Sequence, residues 1–150
     1  MSKIIYTQSN GIIAVIHPVS GNASDAIKDV PVGISTYSIV EDSVIPTDRS
    51  FRNSWVGNGV GVSTATIVED MTKAKEIHKT KIRTARVDKL AALDIEFQRA
   101  LESSADTSAI VAKKQALRDA PADSAIDSAS DTDALKAQWN TSILGTSPYS

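Results

Sequence analysis

The chain has 150 residues, 41% of them apolar, a formal net charge of −2 and no cysteine. That length suffices for one folded domain or two small lobes, and the missing cysteine excludes a disulfide framework and a cysteine-ligated zinc. No stretch approaches the ~20 apolar residues that a bilayer-spanning helix needs, and the N-terminus alternates across a turn where a signal peptide would set a basic patch before an apolar block.

Residues 3–7 (KIIYT) and 12–16 (IIAVI) flank QSNG. Asn10-Gly11 is a two-residue turn signal, so a β-hairpin is predicted here. Pro18 and Gly21 end the second strand, and Asn22 or Ser24 is placed to cap a short helical turn over ASDAIKD before Val30-Pro31. STYSIV at 35–40 predicts a third strand, with Tyr37 and Ile39 on one face and Thr36, Ser38 and Val40 on the other. Beyond Pro46, the strip TDRSFRNSWVGNG reads as a short helix capped by Thr47 and ending at Gly57, with an irregular loop as the alternative. Residues 60–68 (VGVSTATIV) are β-branched and predict a fourth strand, all four making one small antiparallel sheet.

From Asp70 the apolar period changes. Ile82, Leu90, Leu93, Phe97 and Leu101 recur at helical spacing, which predicts one helix of about 30 residues capped by Asp70. SSADTS breaks it, and Asp106 or Thr107 caps a second helix with Ile110, Val111, Ala116 and Leu117 facing inward. The short loop favours an antiparallel helix pair. Ala120-Pro121 ends the second helix, Ile126 marks a further turn, and Asp131 opens a last short helix with Leu135 and Trp139 inward. NTSILGTSPYS reads as an arm. The expected fold class is α+β: a β-rich lobe over 1–68 holding an N-terminal antiparallel sheet, a helical lobe over 69–139 holding a helical hairpin and a short closing helix, and a C-terminal arm over 140–150.

Residues 73–89 carry Lys73, Lys75, Lys79, Lys81, Arg83, Arg86 and Lys89 against Glu76 and Asp88, a local charge of +5 (seven minus two), so the remainder carries −7. Between Asp119 and Asp133 stand five aspartates and no cation. A basic helix of this kind invites a nucleic-acid reading, but no aromatic interleaves with its cations and an acidic segment of the same chain is at hand. A solvated face or an acidic protein contact accounts for it better, with Lys79, Arg83 and Arg86 as candidate contact residues. Arg86 lies between Ile82 and Leu90 on the stripe, which predicts a part-buried stem reaching Asp94 or Asp119.

No catalytic constellation emerges. His17 before Pro18 and His78 on the basic helix both read as surface imidazoles with no nucleophile or orienting carboxylate in pattern. Glu69-Asp70 is better explained by helix capping than by a metal, and no metal or cofactor is expected. VGNGVGVST lacks the Lys-Ser/Thr ending of a phosphate-binding loop, so its glycines read as turn and bulge positions. The densest group of interaction-prone side chains is Asp48, Arg49, Phe51, Arg52 and Trp55. Arginine and tryptophan dominate interface hot spots, which makes Arg49, Phe51, Arg52 and Trp55 candidates for a protein interface; the competing reading has Phe51 and Trp55 pinning a short helix to the sheet while the arginines point to water.

Several of these blocks, in this order, resemble the small phage tail assembly chaperone family: Pro46-Thr-Asp-Arg49 with Phe51-Arg52 and Trp55, Asp70 with Ala74 and Ile77, Arg83 and Arg86, Leu90 to Asp94, Arg99 to Glu102, Lys114 to Asp119, and Leu135 with Trp139. The resemblance implies a non-enzymatic adaptor or chaperone that binds another tail, tail-fibre or virion protein during assembly in the host cytoplasm, with a homo-oligomer as a further expectation. A component built permanently into the tail, baseplate, neck or head is the alternative, and a nucleic-acid-binding regulator a more remote one.

Overall fold

In the computed structural model, which describes residues Met1–Ser150, strands fill the first half of the chain and helices the second, so the fold is α+β. The chain divides into two units, Met1–Ala74 and Lys75–Ser150. The division therefore falls a few residues past the expected 68/69 boundary, and residues 140–150 belong to the second unit.

In the first unit, β1 (Ser2–Thr7), β2 (Ile13–Ile16) and β3 (Tyr37–Glu41) form an antiparallel sheet in the order β2-β1-β3. Ile4 stands opposite Ile16 and Ile39, while Ile5 stands opposite Val15 and Ser38. The two-residue period sorts these side chains onto opposite faces. Ile4, Ile16, Tyr37 and Ile39 pack against Ala23 and Ala26 of a 3-10 segment over Ala23–Asp29. The Asn22 carboxamide caps that segment by accepting from the Ser24 amide at 3.1 Å. On the other face, Ile5, Ile13 and Val40 join Ile45, Trp55 and Ala65. Asn10-Gly11 does reverse the chain, but in a three-residue loop. Gln8 N–H donates to the Ile12 carbonyl and Gly11 N–H to that of Gln8, and only Gly11, at φ 77°, enters the left-handed region.

The expected single sheet is corrected to two. β4 (Trp55–Asn58) pairs with β5 (Thr66–Glu69) in a separate antiparallel ribbon. Trp55 lies in the cluster with Ile5 and Ile13, so the ribbon packs on the face of the first sheet instead of extending its edge. Gly57 permits that approach: a Cβ there would lie 2.6 Å from Ile13 Cδ1 and 2.3 Å from Val60 Cγ2. The helix expected over 47–57 is replaced by a 3-10 turn, Arg52–Ser54, leading directly into β4. The strand expected over 60–68 begins only at Thr66, because Gly59 and Gly61, both at positive φ, turn the chain before it.

The second unit is built on α1 (Met71–Glu102), which begins in the last residues of the first. Asp70 caps it as expected, its carboxylate accepting from the Thr72 and Lys73 amides at 3.0 and 3.3 Å. Four shorter helices follow: α2 (Ser108–Asp119), α3 (Ser124–Ser128), α4 (Thr132–Ala137) and α5 (Thr141–Leu144). Asp106 orders the start of α2 by accepting from the Ser108 amide at 3.0 Å, and Asp131 caps α4 by accepting from Ala134 at 2.8 Å. Ile82, Leu93, Leu117, Ile126, Leu135, Trp139 and Leu144 are buried. Of the four inward positions expected in α2, Leu117 is buried and Ile110 half-buried, but Val111 and Ala116 are exposed. No helix is long and apolar enough to cross a membrane.

Candidate interaction surfaces

The strip between Pro46 and Trp55 separates its anchors from its charges. Phe51 is 1% exposed and Trp55 3%, so both are side chains of the core and neither presents a contact face. The interface expectation is corrected for these two: they hold the turn, and Arg49 and Arg52 remain exposed. The turn is tied from several sides. Arg52 N–H donates to the Arg49 carbonyl at 3.1 Å, the Ser54 hydroxyl to that of Phe51 at 2.8 Å, and Asp70 N–H to that of Ser54 at 2.9 Å. Asp48 accepts from the Ser50 amide at 2.8 Å, fixing the entry to the turn. Two arginines are thus displayed on a rigid backbone.

The same unit holds a cationic group that the sequence pattern did not show. The Lys3 side chain is buried with its ammonium 3.5 Å from Asp42. His17 is exposed, as expected, and its pKa is lowered first by partial burial and then by the positive charges of Lys3 and Arg49, with Asp42 opposing. Lys3, His17 and Arg49 therefore share one field, although 14 and 32 positions separate them (17 minus 3, 49 minus 17). Pairing of β1 with β2 brings Lys3 and His17 together and the connection between β3 and β4 brings Arg49 to them, and a linear reading contains no signal of either.

In the second unit, the three cations singled out on α1 have different fates. Lys79 binds the Asp127 carboxylate at 2.8 Å and its own-helix neighbour Glu76 at 3.9 Å. Its hydrogen bond is the largest cause of the lowered Asp127 pKa. Lys75 adds a bond to the Asp127 carbonyl at 2.7 Å, so the aspartate-rich segment does partner the basic helix, as the sequence suggested. Arg83 is the exposed member, 3.8 Å from Glu76. Arg86 departs from expectation: its guanidinium donates to the Leu117 and Arg118 carbonyls at 3.2 and 2.8 Å, at the C-terminal end of α2. Those carbonyls carry the negative end of the helix dipole and lack intrahelical donors, which is what a guanidinium satisfies. The two carboxylates expected for Arg86 are engaged elsewhere, Asp94 by Lys114 and Asp119 by Gln115.

His78 is the clearest correction. Expected on the surface, it is fully buried. Its Nδ1 lies 2.6 Å from the Tyr149 hydroxyl, its ring stacks on Tyr149 at 9° and meets the Trp139 ring edge-on at 83°. Burial, helped by the Lys81 charge, lowers its pKa to about 4, and burial raises that of Tyr149 above the ordinary phenol value. The tail that covers it was expected to be a loose arm, so nothing in the sequence marked the histidine as interior. No group of three or more histidine, aspartate or glutamate side chains is arranged to hold a metal.

Comparison with models of protein families, with curated proteins and with solved structures gave no match.

Proposed function

We propose that this protein is a bacteriophage tail or tail-fibre assembly factor that acts by binding another virion protein and carries out no chemistry of its own. The spaced blocks from Pro46 to Trp139 are what suggest the family. The observation that carries the binding mode is the Thr47–Trp55 strip: two buried aromatics fix a short turn, and Arg49 and Arg52 stand outside it. Arginine on a pre-ordered backbone loses little freedom on binding and offers five donors to carboxylates. Two exposed guanidinium groups suit an acidic face on the partner. Among the cations of α1, Arg83 is available to a partner, while Lys79 and Arg86 serve the fold. The two imidazoles support a role without catalysis: His17 is held among cations, and His78 is buried against a phenol.

The test is a quantitative protein inventory of purified particles and of the lysate of the phage that encodes the chain. A transient assembly factor is abundant in lysate and missing from particles. A fixed ratio to tail proteins inside the particle would replace this reading with that of a permanent virion component.

A further inference from the structure

The residues after Trp139 fold back and close over α1. Gly145, at φ 84° and ψ −159°, ends α5 in a conformation that L side chains rarely adopt. Its carbonyl accepts from Trp139 Nε1 at 3.0 Å, which fixes the reversal. Beyond it, Tyr149 stacks on His78, and the Lys81 ammonium lies 4.3 Å from the centre of the phenol ring. The phenol keeps its proton, because burial holds its pKa up, and shares one hydrogen bond with His78 Nδ1 whose direction follows the imidazole tautomer. The other ring nitrogen, Nε2, is buried and has no hydrogen-bond partner. A closed site of this composition favours a neutral ring: a second ring proton would place a charge in a fully buried imidazole with one nitrogen unpartnered, beside the Lys81 ammonium.

We propose that Gly145–Ser150 is a conformational latch, held shut over α1 by neutral His78 and released when that imidazole takes up a proton in mildly acidic solution. Burial and the charge nearest His78 favour this direction. From α1 the Lys81 ammonium opposes its charge; from the C-terminal segment it meets the Tyr149 phenol; after α4 it meets the uncharged Trp139 indole. Opening returns the imidazole to water and to its ordinary affinity for protons. Release takes Thr146 and Pro148 out of the wall of the cavity they share with Trp139 and with Thr80, Lys81, Thr84 and Ala85 of α1, and so exposes that stretch of the helix.

The size of the response follows from the two proton affinities. With an open-state pKa of 6.5 and a closed-state value of about 4, acidification from pH 7 to pH 5 shifts the open-to-closed ratio by about 20- to 30-fold. Hydrogen exchange by NMR on the full chain at pH 7 and pH 5, corrected for intrinsic rates, reads this directly at the Trp139 indole N–H and at the amides of residues 145–150. The expected result is a protection loss of that order in the wild type and none in His78→Phe, which keeps a ring but cannot titrate. Equal protection at both pH values in the wild type, or an equal loss in the variant, overturns the proposal. The His78 ring titration gives a second reading should His78→Phe fail to fold. Its midpoint lies well below 6.5 in the wild type and rises toward 6.5 in Tyr149→Ala; an unmoved midpoint contradicts the latch.

Discussion

The two units bury different chemistry. In the first, Ile4 and Ile5, adjacent in sequence, point into two separate apolar clusters on opposite faces of one sheet. In the second, the inward positions of α1 include His78, Lys79 and Arg86 alongside Ile82 and Leu93, and each polar one is bonded to a named partner in a later segment. An apolar contact tolerates small shifts because dispersion is undirected, whereas a guanidinium on two carbonyls or an imidazole on a phenol fixes one register. The β unit is held chiefly by area. The helical unit is placed by directional bonds, and its helices after α2 are too short to be stable without them.

This difference makes graded demands on mutants. Phe51→Ala should have the largest effect, a loss of about 3–5 kcal/mol in chemical denaturation of the β unit followed by Trp55 fluorescence, because it empties a fully buried aromatic site. Leu135→Ala, fully buried in α4, should cost about 2–5 kcal/mol by the same measurement on the helical signal. Arg86→Met keeps most of the stem and removes both carbonyl contacts; a loss of about 1–2 kcal/mol is expected, and a neutral result would show that the helical unit also rests on area alone.

Acid should act on the helical unit through His78. His78 has a folded pKa below its unfolded one, so the folded state binds fewer protons and the contribution is complete above pH 6.5. It is lost as pH falls from 6.5 toward 4, and a His78→Phe protein should lack that part of the pH dependence. Asp70→Ala should cost about 1 kcal/mol by removing the cap of α1. Smallest of all, Arg49→Glu with Arg52→Glu should change stability by less than about 0.5 kcal/mol, since both are exposed.

Much of this architecture could be read from residue order, for identifiable reasons. The period of two in KIIYT and IIAVI, the caps Asp70 and Asp131, the Asp106-Thr107 pair with Thr107 at the N-cap of α2, and the stop at Pro121 are local signals, and each marks an element that formed. What failed was non-local. Whether Trp55 extends a sheet or packs on it depends on Gly57 meeting Ile13, 44 residues away (57 minus 13). The burial of His78 depends on a residue 71 positions later. The inward stripe of α1 is only partly apolar, so a hydropathy pattern undercounts it: Lys79 and Arg86 look like solvent-facing cations until Asp127 and the end of α2 are placed beside them. At the candidate interface, composition located the strip but could not sort it, since tryptophan and phenylalanine suit a core and a contact equally well.

Recognition of the partner is proposed to rest on the two exposed arginines, Arg49 and Arg52, and a capture experiment tests that most directly. Tagged wild-type protein and the Arg49→Glu, Arg52→Glu variant would each be incubated with lysate of infected host cells and the retained proteins quantified. The wild type is expected to retain a tail or tail-fibre protein, and the variant, with an unchanged unfolding midpoint, at least about tenfold less, as losing charged hot-spot contacts implies. Equal retention by both proteins, or no virion protein retained by either, would contradict it.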